Sequence, residues 1–123
     1  MPGKHAPRIL IVDDEDDLRK LLDHVVSTAG YQVVTASDGE EAIAQLSQSD
    51  FDVALLDIQM PNKTGIDVLK YIQQNAKPTR PIVLTGYADL KNAMEAKEFG
   101  AVDFISKPYK LEDILATIER VLA

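Results

Sequence analysis

Residues 51–61 read Phe-Asp-Val-Ala-Leu-Leu-Asp-Ile-Gln-Met-Pro. Within them Val53, Ala54, Leu55 and Leu56 form an unbroken apolar run with no alternation. That is the pattern of a strand covered on both faces, as in the middle of a parallel sheet. Asp57 follows directly. An ionised carboxylate at the end of a buried strand is costly unless a cation, a charge partner or hydrogen bonds wait there. The rest of the chain has to supply them.

Upstream, residues 8–12 (Arg-Ile-Leu-Ile-Val) are a second strand-like run, and it ends in five acids, Asp13, Asp14, Glu15, Asp16 and Asp17. Acids suit a helix start, where carboxylates meet free amides and the positive end of the macrodipole. Leu18, Leu21, Leu22, Val25, Val26 and Ala29 then fall at helical spacing, and Gly30 stops the helix. Residues 32–36 form a short β-branched strand, and Ser37-Asp38-Gly39-Glu40-Glu41 offers overlapping capping boxes to a helix with Ala42, Ile43 and Leu46 inward.

Downstream, residues 61–65 read as a turn, with Thr64 the expected N-cap of a helix carrying Ile66, Leu69 and Ile72. A fourth strand is expected over 81–84, followed by Thr85 and Gly86. The next helix, over about residues 88–99, is apolar mainly through Leu90, Ala93, Met94 and Phe99, which predicts the least firmly anchored helix of the chain. Gly100 ends it, 101–105 reads as strand five, and Ser106-Lys107-Pro108-Tyr109 breaks the pattern. The last helix has Leu111, Ile114, Leu115, Ile118, Val121 and Leu122 at helical spacing. His24 falls on the polar face of the first helix and reads as a solvated surface residue.

Strict alternation with short connections implies right-handed βαβ units and an α/β fold: a five-stranded parallel sheet, doubly wound, with helices on both faces. Ligands of such sheets bind outside the carboxyl ends of the strands. Those ends carry Asp13 with Asp14, Ala36, Asp57, Thr85, and Ser106 with Lys107. Only the second strand lacks polar chemistry there, which makes it the natural edge.

Length and composition narrow the function. At 123 residues, with 46% hydrophobic and 27% charged, the chain suits one globular domain over residues 8–123. Residues 1–7, with Pro2, Gly3 and Pro7, read as a flexible N-terminal tail. A net charge of −7 argues against direct nucleic-acid binding, which needs clustered Lys and Arg. With no cysteine, thiolate catalysis and zinc-thiolate sites are excluded. No apolar run reaches membrane-spanning length, so no membrane contact and a cytoplasmic location are expected.

Asp13, Asp14 and Asp57 at one edge would repel one another, so either one takes a proton or a hard cation neutralises them. Oxygen-only ligands point to Mg²⁺ or Mn²⁺, and Mg²⁺ tends to complete its shell with waters and phosphate oxygens. Lys107 brings a point charge and Thr85 a hydroxyl to the same edge. Aspartate is a known nucleophile toward phosphorus, and phosphoryl transfer needs mostly positioning and charge neutralisation.

Those residues carry a family resemblance. Ile9-Leu10-Ile11-Val12-Asp13-Asp14-Glu15, Leu55-Leu56-Asp57-Ile58-Gln59-Met60-Pro61, Leu84-Thr85-Gly86 and Phe104-Ile105-Ser106-Lys107-Pro108 match, in order and spacing, the receiver domain of two-component response regulators. The chain resembles that family from residue 8 to its end. The resemblance implies a flavodoxin-like (βα)5 fold with strand order 2-1-3-4-5. It implies that Asp57 accepts a phosphoryl group from a sensor histidine kinase or phosphotransfer protein. Asp13 and Asp14 would organise Mg²⁺ with the Gln59 carbonyl as a further ligand. Lys107 would pair with the phosphate across a cis Lys107-Pro108 peptide. Thr85 would turn toward the phosphate and Phe104, in place of the family's frequent tyrosine, would follow it, changing the face of helix 4, strand 5 and helix 5. Gln59 and Tyr87 stand where the family tunes dephosphorylation. The output is expected to be a downstream effector or fused output domain, with a phosphorylation-dependent homodimer as a further expectation. No effector domain follows Ala123 in this sequence, so the expectation is either a stand-alone receiver or one cut from a longer regulator.

Two other functions compete. A magnesium phosphatase would also pass through an aspartyl phosphate, but such enzymes typically place a second acid two residues after the nucleophile, where this chain has Gln59. A nucleotide or flavin binder would want a glycine-rich loop after the first strand, where five acids stand instead. A signalling domain, not a turnover enzyme, is the expectation.

Overall fold

A computed structural model describes residues 6–57, 65–85 and 90–123. Its elements alternate strictly: β1 (Arg8–Val12), α1 (Asp16–Thr28), β2 (Gln32–Ala36), α2 (Gly39–Gln48), β3 (Val53–Asp57), α3 (Gly65–Gln74), β4 (Arg80–Thr85), α4 (Leu90–Glu98), β5 (Asp103–Ser106) and α5 (Leu111–Leu122). All strand pairs are parallel, in the order β2-β1-β3-β4-β5. Both the α/β class and the strand order agree with the sequence reading, and β2 is an edge strand.

The period-two geometry of the strands sorts their apolar residues into two layers. Leu10, Val12, Ala54, Leu56 and Val83 pack with Ala42 and Leu46 of α2, Val68, Leu69 and Ile72 of α3, and Ala96 of α4. Ile9, Ile11, Val53, Leu55, Ile82, Leu84 and Ile105 pack with Leu22 and Val26 of α1 and Ile114 and Ile118 of α5. Residues 53–56 are buried on both sides of the sheet, which is why that run shows no alternation.

Local chemistry sets several boundaries. Asp38 caps α2 by accepting from the Glu41 amide at 2.8 Å, and the Glu41 side chain reaches back to the Ser37 amide at 2.9 Å. Helix α1 begins at Asp16, inside the acid run, with Asp16 and Asp17 in its first turn, while Asp13 stays outside the helix and turns its Oδ1 onto the Glu15 amide at 2.9 Å. The Pro7 carbonyl accepts the Gln32 amide at 3.0 Å, so the β1 side of the ladder starts before Arg8. Residues 1–5 of the expected tail lie outside the described residues, as do Thr64 with the turn before it, Gln59 and Tyr87.

Three expectations need correction. Strand five begins at Asp103, not at 101. Gly100 takes a left-handed conformation (φ 97°), and the Ala101 amide donates back to the Ala96 carbonyl at 3.0 Å, so Ala101 belongs to the end of α4. Met94 is not part of the apolar face of α4: it is 64% exposed, whereas Ala96 is buried. Two residues subtend about 200° on a helix of 3.6 residues per turn, so these positions look in nearly opposite directions. Leu21 is likewise exposed, one step round from the buried Leu22.

The packing predicts a contrast. Leu55→Ala, in the doubly covered strand, is expected to lower the unfolding free energy by about 2–5 kcal/mol. Met94→Ala should change it by less than about 0.5 kcal/mol, both read from urea midpoints.

Candidate functional site

The carboxyl edges of β1, β3 and β5 converge. One ligand oxygen from each of Asp13, Asp14 and Asp57 lies within 4.8 Å of the others. Asp13 and Asp57 are buried and Asp14 is exposed. The ladder carries the flanking groups one residue past the strands: the Asp13 amide donates to the Ala36 carbonyl at 3.2 Å, and the Lys107 amide to the Thr85 carbonyl at 2.8 Å. Asp13, Asp57 and Lys107 therefore continue the parity of Ile11, Leu55 and Ile105, on the α1 and α5 side of the sheet. From there Lys107 Nζ reaches Asp57 Oδ2 at 3.0 Å. The expected cis peptide between Lys107 and Pro108 is present.

Thr85 and Phe104 belong to the opposite parity. Phe104 lies beside Val83 and Thr85 beside Ser106, so Thr85 and Phe104 are diagonal neighbours on the α2, α3 and α4 side. Thr85 is buried and Phe104 half-buried against that layer. The structure thus brings together Asp13, Asp14, Asp57 and Lys107, and sets Thr85 with Phe104 next to them across the sheet. Gln59 lies outside the described residues.

Asp13 is the most strained charge of the group. Its Oδ1 is held by the Glu15 amide, while Oδ2 is buried with no hydrogen-bond partner. Burial is the largest influence on the carboxyl and raises its pKa above the usual 3.8; the Glu15 amide and Lys107 oppose the shift, and the charges of Asp57 and Asp14 reinforce it. A hard divalent cation would reverse that balance. An all-oxygen carboxylate donor set with a buried, unpartnered carboxylate oxygen fits Mg²⁺ or Mn²⁺.

Tyr109 is a residue that sequence reasoning passed over as part of a turn. Its ring packs in the α1 and α5 layer, and its hydroxyl is buried with no hydrogen-bond partner. Burial first, then the charges of Asp13, Asp57 and Glu15, push that hydroxyl up to about 12.

Comparison with known proteins agrees with the fold. Residues 9–119 match the family described as the response regulator receiver domain. The chain is 36% identical over 115 residues to the regulatory protein AtoC of Escherichia coli, covering 94% of this chain and 25% of that protein. It is 34% identical over 115 residues to the sporulation initiation phosphotransferase F of Bacillus subtilis, covering 94% and 93%. Among solved structures, the Vibrio cholerae chemotaxis protein CheY4 superposes with a TM-score of 0.89 at 34% identity, over 95% of this chain and 99% of that one. The chain therefore spans about a quarter of one relative and nearly all of the others. Nothing in these likenesses favours the phosphatase alternative.

The raised pKa of Asp13 has a defined sign. A carboxyl that holds its proton more tightly in the fold adds stability below the unfolded value of 3.8, and that gain is lost as pH rises through the folded value. Asp13→Asn cannot ionise, so without divalent cation it is expected to unfold at higher urea than wild type at pH 7. The difference should vanish below pH 3.8; urea titrations across that range provide the check.

Proposed function

This chain belongs to the response regulator receiver domain family, and from that premise we propose that Asp57 is its phosphoacceptor in a phosphorylation-dependent signalling switch. The observation that carries the reading is the 3.0 Å pair of Asp57 and Lys107 inside a cluster of three carboxylates. A carboxylate oxygen of Asp57 attacks the phosphorus of a phosphohistidine on a sensor kinase or phosphotransfer protein. The new O–P bond forms as the N–P bond breaks, and the bonding pair leaves with the imidazole nitrogen, which takes up a proton. Little covalent work falls on other groups, because the transferring phosphoryl is loosely bonded to both sides and needs alignment and charge neutralisation.

Each remaining residue has a part in that. Asp13 and Asp14, with Asp57, would hold Mg²⁺, and Mn²⁺ would suit the same oxygens; on the family's pattern Gln59 would contribute a further ligand. When bound, the cation supplies positive charge against the phosphoryl oxygens. Lys107 follows Asp57 from ion pair to phosphoryl contact. Thr85 donates its hydroxyl to a phosphoryl oxygen, and Phe104, its diagonal neighbour, moves into the space left, changing the face of α4, β5 and α5. A downstream effector or fused output domain reads that face, or a second copy does in a phosphorylation-dependent homodimer. The net charge of −7 leaves direct DNA contact to another domain or protein. No helix among the described residues is long and apolar enough to cross a membrane, and the reading places the chain in the cytoplasm. Its chemistry is confined to gaining and losing its own phosphoryl group.

Incubation with Mg²⁺ and acetyl phosphate, followed by intact mass measurement, tests the site. Wild type should gain one phosphoryl group, chelation beforehand should prevent it, and Asp57→Asn should gain none. Equal phosphorylation of Asp57→Asn, by acetyl phosphate or by purified kinase, would sink the assignment.

A further inference from the structure

Among the described residues at the carboxyl edge, two buried polar oxygens have no hydrogen-bond partner, Asp13 Oδ2 and the Tyr109 hydroxyl. Asp13 Oδ2 has a role in the reading above, as part of the cation-holding cluster. The Tyr109 hydroxyl has none. Removing a phenol from water without a partner costs free energy, and a phenylalanine would pack the same ring without that cost. The hydroxyl is nevertheless held within electrostatic reach of Asp13, Asp57 and Glu15. Its ring is anchored in the apolar layer against α1 and α5, which fixes where the oxygen stands.

Charge decides what such a hydroxyl can do. It stays protonated among carboxylates, because burial and the charges of Asp13, Asp57 and Glu15 all disfavour the phenolate. A neutral O–H is both a donor and an acceptor, and so can bond a carboxylate oxygen, or a water that itself touches one. Mg²⁺ gives up its waters reluctantly, so a carboxylate site for it brings water into the cluster. Groups that hydrogen-bond the ligands of a cation fix their orientation and raise affinity without touching the ion.

We propose that Tyr109 is a positioning residue of the phosphoacceptor site, its hydroxyl bonding the hydrated carboxylate group at Asp13 when the divalent cation is held. The buried hydroxyl has no hydrogen-bond partner in the protein, and that bond would satisfy it. Tyr109 therefore converts part of the cost of its own burial into cation affinity. This inference rests on the reading of Asp13, Asp14 and Asp57 as the cation site.

The test uses the full 123-residue chain, MgCl2 as the probe, and wild type beside Tyr109→Phe and Asp13→Asn. Isothermal titration gives the Mg²⁺ dissociation constant, and urea unfolding in chelator gives stability without cation. Tyr109→Phe should weaken Mg²⁺ binding by about tenfold, while its urea midpoint in chelator equals or exceeds that of wild type. A purely structural tyrosine would move the midpoint down and leave the dissociation constant alone. A change in Mg²⁺ affinity below about twofold, with Asp13→Asn still severely impaired, would overturn the role of Tyr109 while sparing the site. Unaltered Mg²⁺ binding by Asp13→Asn would overturn the cation site itself, and the inference with it.

Discussion

The structure depends on a conflict at one edge: carboxylates that must stay close together are anchored to strands that must stay dry. Residues 53–56 are buried on both faces, so β3 can present polar chemistry only where it stops. Asp57 stands at that stop, buried, with Lys107 at 3.0 Å as its counter-charge. Removing Lys107 would take a counter-charge from a buried carboxylate, a larger loss than that of a surface ion pair. The pairing also explains why β1 and β5 must end where they do. Each carries its functional residue one step past the last strand residue while still hydrogen-bonded to the neighbouring strand.

The sheet then divides the work between its two sides. Asp13, Asp57 and Lys107 share the parity of the layer against α1 and α5, and Tyr109 packs in that layer. Thr85 and Phe104 share the parity of Val83, in the layer against α2, α3 and α4. On the proposed reading, phosphoryl chemistry occurs on one side and its consequence is expressed on the other. Thr85 can serve both because it terminates β4 beside Asp57's own strand, with its carbonyl already engaged by the Lys107 amide. A one-residue change of register in β4 or β5 would exchange the two sides and separate the parts.

Much of this was legible before any coordinates, because it rests on period and position. An apolar run without alternation means a strand covered twice, and the polar residues that end such strands must meet at one edge of a parallel sheet. Residues whose environment is made by distant parts of the chain were less legible. Ala101 reads as strand by composition, yet the left-handed Gly100 turns its amide back onto α4. Met94 and Leu21 read as core by hydrophobicity, and a step or two of helical rotation puts them in solvent. The Tyr109 hydroxyl could not be read at all, since its meaning comes from Asp13 and Asp57 on other strands.

The part of α4 over residues 94–98 shows how weak packing can suit the proposed switch. Of its side chains at residues 94–98, Ala96 is the one that is buried. A methyl group contributes about 0.8 kcal/mol on burial, whereas a fully buried leucine or valine contributes about 1.5–3 kcal/mol. Helix α1 buries Leu22 and Val26, and α5 buries Ile114 and Ile118. A hydrogen bond to a charged group, such as Thr85 would make with a phosphoryl oxygen, is worth about 1.5–3 kcal/mol. That exceeds what Ala96 contributes and falls short of what either α1 or α5 buries. On the proposed reading the same signal can therefore shift α4 at residues 94–98, while the buried residues of α1 and α5 keep their hold behind the carboxylates and the acceptor site stays intact as the face of α4, β5 and α5 changes.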